Sequence, residues 1–229
     1  MRSEPLVTVV LPAFNGAAFI AEAIASVRRQ SHPALEIVVV DDGSTDATAT
    51  VVQSLGDDIR YVRQRRGGPA AARNRGVSLA RGSLVAFIDQ DDLWPDDHLS
   101  VLQTLLAETA AVAMGTTQAL VPASEARATV FVPYGAPWRA PHVGAALFRR
   151  EAFEIVGSLD QTLRYCSDDL DWFMRARERG AVVAETDAVT LLFRIHHMNT
   201  SRDTEFRRNA LLEAVHASIR RRQRFAQDQ

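Results

Sequence analysis

The residues from Leu84 to Ile88 form an apolar run that three carboxylates, Asp89, Asp91 and Asp92, follow almost at once. A strand that is apolar at every position suits burial on both faces, as in a parallel sheet. Open α/β sheets bind their ligands at the carboxyl ends of such strands. Three negative charges this close repel one another, so we expect a cation among them, and oxygen ligands suit a hard divalent metal. The alternative is that the carboxylates only begin the next helix and face water.

The first hundred residues alternate strand patterns with helix patterns. The predicted strands are Leu6–Phe14, Leu35–Asp42, Ile59–Gln64 and Leu84–Ile88, and the predicted helices are Ala17–Arg29, Thr45–Ser54, Pro69–Ala80 and Asp96–Glu108. Such alternation predicts βαβ units with right-handed crossovers and a parallel sheet. The sequence therefore predicts an α/β fold with a Rossmann-like nucleotide-binding half.

Beyond Ala110 the alternation stops. Residues 110–121 predict a strand, whereas Ser124–Trp138 is predicted to be irregular because several prolines lie in and around it. The remaining predicted elements are a helix from about Arg149, a helix Asp168–Arg179, a strand Val182–Arg194 and a C-terminal helix Glu205–Arg224. Since no repeat or linker divides the chain, we expect one domain. Its parts are a nucleotide-binding half (1–109), an acceptor-binding half (110–204) and the C-terminal helix (205–229).

Composition excludes several classes of function. The net charge of −2 gives no electrostatic case for nucleic acid. All 26 basic residues are arginine, which excludes a lysine Schiff base and a Walker-type phosphate lysine. The single cysteine, Cys166, excludes an internal disulfide and a cysteine metal cluster. We find no signal peptide and no apolar stretch of membrane-spanning length. We expect a cytoplasmic protein.

Two further segments carry candidate binding residues. Asp41 and Asp42 end the second predicted strand, where a carboxylate can accept hydrogen bonds from a base N–H or a ribose hydroxyl. The GSTD sequence after them is explained fully by a turn and a helix start. Arg73 projects from the helix after the Gly67–Gly68 pair, where an arginine can neutralise an acidic cluster or hold a diphosphate. The alternative for Arg73 is a solvated basic face.

Two candidates lie in the second half. Asp168 and Asp169 begin a predicted helix, where acidic residues are common for dipole reasons alone. A carboxylate there that lies near a bound substrate would instead serve as a general base. His196 and His197 follow the last predicted strand. Adjacent residues of an extended segment point in opposite directions, so at most one of them faces a given site.

Five segments in this order resemble the family 2 glycosyltransferases, which are inverting enzymes with the GT-A fold. The segments are VVLPAFN (Val9–Asn15), VVVDDGSTD, GGPAAARNRG, FIDQDDLWPD and SDDLDWFMR. The resemblance covers about residues 5 to 200. It implies transfer of a sugar from a nucleotide-sugar, by default UDP-linked, to an acceptor hydroxyl. It also implies a role in bacterial glycan, cell-surface polysaccharide or glycoconjugate synthesis.

The resemblance assigns roles on the donor side. Asp41 would contact the base, and the backbone near Pro12 and Ala13 would line the same pocket. Asp89-Gln90-Asp91 matches the DXD motif, with Asp91 as the direct ligand of Mn²⁺ or Mg²⁺. Asp89 would contact the ribose or the water shell of the metal.

The remaining roles concern the diphosphate and the acceptor. Arg73 would lie near Asp41 and the nucleotide. Asp168 and Asp169 match the two acids of the ED motif, with Asp169 as the general base. His196 or His197 would contact the metal or the diphosphate from a loop that closes over the donor.

The sequence departs from the family pattern in two ways. Asp168 stands where glutamate is more usual, and the QxxRW motif of processive synthases is absent, which favours a single addition. One alternative is a sugar-phosphate nucleotidyltransferase, although LPAFNG lacks the basic glycine-rich loop of those enzymes. Another is a nucleotide-sugar-binding protein that has lost catalysis. The acceptor stays open among glycans, lipid-linked molecules and small molecules.

The C-terminal helix carries the last candidate surface. Its arginines Arg220, Arg221, Arg222 and Arg224 would contact anionic headgroups weakly at the inner face of the membrane. The alternative, which we favour, is a solvated helix end with a favourable dipole.

Overall fold

The computed structural model describes residues 4–106, 109–124, 129–163, 167–197, 199 and 204–227. The strands are β1 (Val7–Ala13), β2 (Leu35–Asp41), β3 (Ile59–Arg63), β4 (Leu84–Phe87), β5 (Val112–Pro122), β6 (Phe131–Trp138), β7 (Ala146–Arg149) and β8 (Val183–Arg194). The helices are α1 (Ile20–Arg28), α2 (Thr48–Ser54), α3 (Pro69–Leu79), α4 (His98–Leu105), α5 (Glu151–Val156), α6 (Asp168–Glu178) and α7 (Thr204–Gln227). A 3₁₀ helix covers Val143–Ala145. Cys166 and the end of the predicted helix Asp96–Glu108 lie outside the described ranges.

Eight strands form one sheet within the described residues, in the order β3-β2-β1-β4-β7-β5-β6, with β8 paired to β5. The strands β1 to β4 run parallel to one another, and β7 joins them to β5 through antiparallel pairs. β6 pairs antiparallel and β8 parallel with β5. The parallel part is the predicted series of βαβ units. The predicted α/β fold with a mostly parallel central sheet is therefore confirmed.

The prediction that Ser124–Trp138 is irregular was wrong for its second part. Phe131–Trp138 forms β6, which pairs with β5 from Thr117 to Pro122. A strand at the end of the sheet tolerates proline, because one side of it makes no ladder hydrogen bonds. The prolines of this segment therefore did not exclude a strand. The strand β5, whose pairing makes Phe131–Trp138 a strand, lies in another segment of the sequence. The four-residue strand β7 was also missed.

The parallel strands are buried as their composition predicts. Every residue of β1 and of β4 is buried. The helix α3 packs closely on β1, because Gly76 faces the side chain of Val10. A Cβ on Gly76 would lie 2.1 Å from Cγ1 of Val10. This close approach fixes α3 on the sheet and with it the arginine, Arg73, that α3 carries.

The C-terminal helix α7 packs against α6. Arg221 on α7 donates hydrogen bonds to Asp171 and Glu178, whereas Arg220 and Arg222 are exposed. The side chain of Arg224 lies outside the described part of the chain. Arg221 is therefore held within the protein. None of the described helices combines the length and the apolar character that crossing a membrane requires.

Candidate active site

The carboxyl ends of three parallel strands lie side by side. Ala13 at the end of β1 pairs with Asp41 at the end of β2. The N–H of Ile88, just after β4, donates to the carbonyl of Val10 in β1 at 3.2 Å. The structure thus brings the acidic segments after β2 and β4 to one edge of the sheet, as the sequence predicts.

Asp41 is fully buried at this edge, beside the equally buried Pro12 and Ala13. Its carboxylate accepts hydrogen bonds from the N–H of Ser44 at 2.7 Å and from the Tyr61 hydroxyl. Burial alone would raise the pKa of Asp41, but the hydrogen bonds from Tyr61 and Ser44 outweigh it and lower the pKa. Burial and the bond to Asp41 raise the pKa of Tyr61 to about 12. Asp41 is therefore an ionised acceptor at the base of the predicted nucleotide pocket.

The neighbouring Asp42 shapes the loop that leads into α3. Its carboxylate accepts the N–H groups of Gly67 at 2.8 Å and Gly68 at 2.7 Å. Gly68 has a φ of 90°, a conformation that favours glycine. Asp42 thus holds the glycine pair, a role that the sequence does not reveal.

The Gln90 side chain joins the loops that follow β1 and β4. Its Oε1 accepts the N–H of Phe14 at 2.8 Å, and its Nε2 donates to the carbonyl of Phe14 at 3.0 Å. Gly16 leaves room for this contact, since a Cβ there would lie 2.0 Å from Oε1 of Gln90. The Arg66 guanidinium lies over the Phe14 ring, 3.8 Å from its centroid. Gln90 therefore ties the loop after β4 to the loop after β1.

Arg73 links three carboxylates that lie far apart in the sequence. Its Nη2 donates to both oxygens of Asp89 at 2.7 and 3.0 Å. Its Nη1 donates to Asp168 at 2.9 Å and to Asp169 at 3.1 Å. Burial alone would lower the pKa of Arg73, but the three carboxylates raise it well above its ordinary value. The hydrogen bonds of Arg73 among the described residues go to these three acids, and its predicted place near Asp41 and the nucleotide stays a prediction.

Asp169 lies in the first turn of α6 with its two oxygens in different surroundings. Oδ1 faces Arg73, while Oδ2 accepts the N–H of Val143 at 3.1 Å. Oδ2 also lies 4.0 Å from Nδ1 of His142. The carboxylate is thus oriented by one cation and one backbone donor, and it borders a second titratable side chain.

Asp168 lies deeper than Asp169. Burial raises the pKa of Asp168 to about 6; Arg73 opposes this rise, and Asp169 and Asp89 add to it. Arg73 therefore binds Asp168 most tightly when Asp168 is ionised, above that pH. The hydrogen bond from Arg73 to Asp168 helps to position the Arg73 guanidinium.

Asp91 lies next to a histidine from the other half of the chain. Its Oδ2 is 3.0 Å from Nε2 of His196 and accepts a hydrogen bond from Asn199 at 3.3 Å. The Phe19 ring stacks on the His196 imidazole with a centroid distance of 4.4 Å. Of the two adjacent histidines, His196 meets Asp91, and His197 is exposed.

A second group of ligand atoms lies beside this pair. One ligand atom each of Asp89, Asp92 and His142 lies within 4.8 Å of the others. Asp92 is buried, and its Oδ2 has no hydrogen-bond partner within the described residues. Burial, together with Asp91 and Asp89, raises the pKa of Asp92 well above its ordinary value. A buried carboxylate oxygen without a partner is costly unless something cationic or protonated satisfies it.

The donor atoms at this edge suit a divalent metal. Carboxylate oxygens are the ligands that Mg²⁺ and Mn²⁺ prefer, and imidazole is compatible with Mn²⁺. The unsatisfied oxygen of Asp92 and the repulsion among the three aspartates both favour a bound cation. The residues present therefore fit the predicted metal.

Sequence reasoning missed His142 and gave no role to Gln90 or Tyr61, whereas it placed Asp92 among the three carboxylates expected to surround a cation. Gln90 lies between Asp89 and Asp91 of the acidic segment after β4, so its position carried a signal. His142 follows an irregular segment without a motif, and only the fold brings it to Asp169.

Comparison with known sequences identifies relatives of this chain. A profile described as Glycosyl transferase family 2 matches residues 8–126, just over half of the chain. A putative teichuronic acid biosynthesis glycosyltransferase of Bacillus subtilis, TuaG, is 40% identical over 100 residues, which are 42% of this chain and 40% of that protein. An uncharacterized glycosyltransferase of Nostoc is 31% identical over 173 residues, 67% of this chain and 54% of that protein. The chain thus spans less than two thirds of the length of these relatives.

Solved structures share the fold. The mannosyltransferase PcManGT from Pyrobaculum calidifontis, in complex with GDP-Man and Mn²⁺, has a TM-score of 0.77 at 24% identity. The match covers 96% of this chain and 65% of that one. TarS 1-349 of S. aureus in complex with UDP-GlcNAc has a TM-score of 0.70 at 20% identity, covering 91% of this chain and 66% of that one. The shared architecture and the family profile lead to one assignment: the chain belongs to glycosyl transferase family 2 and has the GT-A fold.

Proposed function

We propose that this chain is an inverting, metal-dependent, non-processive glycosyltransferase with Asp169 as its general base. The observation that carries this proposal is the ionic unit around Arg73. Arg73 holds the carboxylate of Asp169 in α6 close to Asp89. A residue proposed to act on the sugar acceptor thus lies beside a residue proposed to bind the sugar donor. A general base must be held in this way beside the bond that reacts.

The reaction is a single displacement. The acceptor hydroxyl attacks the anomeric carbon from the face opposite the nucleotide, and Asp169 takes the proton of that hydroxyl. A bond forms between the acceptor oxygen and the anomeric carbon as the bond to the diphosphate breaks. The bonding electrons leave with the diphosphate. Arg73 and the N–H of Val143 orient the carboxylate of Asp169 before the reaction.

The residues that would hold the metal are Asp91 and His196, with Asp89 alongside. When bound, a divalent cation would neutralise charge on the diphosphate leaving group. Asp92, whose Oδ2 has no hydrogen-bond partner within the described residues, would offer a further oxygen to the cation. The nucleotide itself would occupy the pocket of Pro12, Ala13 and Asp41.

Similarity to known glycosyltransferases suggests which sugar donor to test first and which biosynthetic role to propose. The solved relatives contain UDP-GlcNAc in one case and GDP-Man in the other. We keep a UDP-sugar as the first donor to test. The similarity to TuaG, named for teichuronic acid biosynthesis, favours a role in cell-surface polysaccharide synthesis.

Nucleotide binding tests the donor site. Isothermal titration of UDP, GDP and dTDP, each with and without Mn²⁺, is compared for wild type and Asp91→Ala. We expect one nucleotide to bind wild type in a metal-dependent manner, and Asp91→Ala to lose the metal dependence. The exposed Asp57→Asn variant serves as the matched control and should bind like wild type. If no nucleotide binds wild type, the donor site is wrongly assigned.

A further inference from the structure

An exposed aromatic surface lies on β6, in the second half of the sheet. Tyr134 is 65% exposed and Trp138 is 41% exposed, and Val132 near them is also open to solvent. We refer to Val132, Tyr134 and Trp138 as the aromatic platform. Exposed apolar side chains that cluster in this way mark binding surfaces in soluble proteins.

The platform shares one face of the sheet with a ring near the candidate base. Tyr134 pairs with Ala119 of β5, and Trp138 pairs with Thr117. Ala119 in turn pairs with Phe193 of β8. Because residues paired across neighbouring strands point to the same face, Tyr134, Ala119 and Phe193 form a row across three strands.

This row leads to Asp169. The Phe193 ring meets the His142 imidazole edge-on, with a centroid distance of 6.2 Å. Nδ1 of His142 lies 4.0 Å from Oδ2 of Asp169. Since neighbouring strands lie about 5 Å apart, Tyr134 is about 10 Å from Phe193 along the row. The face between Asp169 and the platform is therefore longer than a single sugar ring.

A bulge in β6 brings the two platform rings together. Tyr134 and Trp138 are four positions apart, but their partners on β5 are only two apart. The two rings are thus spaced by about 7 Å along β5 and not by the roughly 13 Å of a regular strand. Nε2 of Gln118 holds the bulge by donating to the carbonyls of Tyr134 at 3.0 Å and Gly135 at 3.2 Å.

The chemistry of the platform selects its occupant. Pro133 and Pro137 remove N–H donors from β6, which disfavours pairing of this edge with a second copy of the chain. The neighbouring cation Arg139 is engaged by Glu185 and Asp187, and the platform itself carries no charge. An uncharged aromatic surface suits a ligand with an apolar face and polar edges, which is the character of a sugar ring.

We propose that the aromatic platform binds sugar units of an oligosaccharide acceptor, remote from the hydroxyl that Asp169 deprotonates. This inference rests on the proposed function and names the acceptor class. The acceptor reaches from Asp169 past His142 and Phe193 to Tyr134. A single sugar ring is too short to span this row, so the platform distinguishes oligosaccharide acceptors from monosaccharides.

Intrinsic fluorescence provides a direct test. Trp94 and Trp172 are fully buried, so Trp138 is the tryptophan that reports on a ligand at the platform. A microarray of bacterial cell-surface oligosaccharides identifies binders, which are then titrated against wild type and Tyr134→Ala. We expect a change of Trp138 emission on binding, at least about tenfold weaker binding for Tyr134→Ala, and unaltered binding of monosaccharides. Ile155→Ala, which removes an exposed apolar side chain elsewhere, should bind like wild type.

Three results would overturn the platform. One is that no oligosaccharide binds wild type, and another is that Tyr134→Ala binds as tightly as wild type. The third is that sedimentation shows a dimer that Tyr134→Ala disrupts. Nucleotide titration separates this inference from the proposed function. If the protein binds nucleotide but no oligosaccharide, the platform is wrong and the donor site stands. If it binds oligosaccharide at Tyr134 but no nucleotide, the proposed donor site is wrong.

Discussion

At the scale of single residues, one guanidinium holds the two sides of the site together. Arg73 lies in α3, and two of its partners, Asp168 and Asp169, lie in α6. The planar guanidinium offers five donors in a fixed arrangement, so it can serve three carboxylates at once. A lysine ammonium has three donors on a single nitrogen and lacks the planar arrangement of the guanidinium. If Asp169 is the base, as we propose, the ionic unit would couple catalysis to stability.

Replacing Arg73 tests that coupling. Arg73→Met leaves the buried Asp168 and Asp169 and the half-buried Asp89 without their cation, so we expect it to destabilise the fold by about 3–5 kcal/mol. Urea unfolding at neutral pH measures the change. Arg65→Met removes an exposed arginine of the same sequence segment and should stay within about 0.5 kcal/mol of wild type. Equal unfolding midpoints for Arg73→Met and wild type would show that the unit is not structural.

The candidate base gives a different signature. Asp169→Asn keeps the shape of the side chain but cannot accept a proton. We expect sugar transfer to fall by about 10²- to 10⁴-fold. The affinity for nucleotide should stay close to that of wild type. Release of nucleoside diphosphate from the donor in the presence of acceptor measures transfer, and Asp57→Asn is the control. Full activity in Asp169→Asn would assign the base elsewhere.

At the scale of elements, the parallel strands could be predicted and the antiparallel ones could not. β1, β2 and β4 are apolar at most positions, so their own residues predict burial on both faces. β6 becomes a strand only through its pairing with β5, a contact that local sequence does not encode. The site divides in the same way. Asp41, Asp89, Asp91 and Asp169 mark strand ends and a helix start, whereas His142 reaches the site through the fold alone.

The contact of α3 with β1 can be tested by one methyl group. Gly76→Ala places a Cβ against Val10, and we expect the fold to lose about 1–3 kcal/mol despite the better helix propensity of alanine. Thermal and urea unfolding measure the loss. In the double variant Gly76→Ala/Val10→Ala the two effects should be less than additive, because the smaller side chain makes room. Ser78→Ala, on the exposed side of α3, is the control. Additive losses would place the strain elsewhere.

At the scale of the whole molecule, one buried histidine joins the two halves. His98 begins α4, and its Nδ1 lies 2.6 Å from the carbonyl of Thr190 in β8, to which it donates. Its ring stacks on Trp94 with a centroid distance of 3.8 Å. Burial lowers the pKa of His98 to about 3, although the bond to Thr190 opposes this. The histidine therefore stays neutral while the two halves remain packed.

This histidine makes the stability of the fold depend on pH. The unfolded chain protonates His98 near pH 6.5, while the folded chain does not, so stability is lost as the pH falls below 6.5. The loss from this residue is about 1.4 kcal/mol per pH unit, or about 2 kcal/mol by pH 5. Asp168 acts in the opposite direction, because its raised pKa lets the folded state bind a proton first. Urea unfolding of His98→Asn between pH 5 and 7 isolates the histidine, since Asp168 contributes equally to both proteins. We expect the unfolding free energy of wild type to fall more steeply with decreasing pH than that of His98→Asn, by about 1.4 kcal/mol per pH unit. The exposed His197→Asn should match wild type. Equal slopes for wild type and His98→Asn would mean that His98 is protonated in the folded chain.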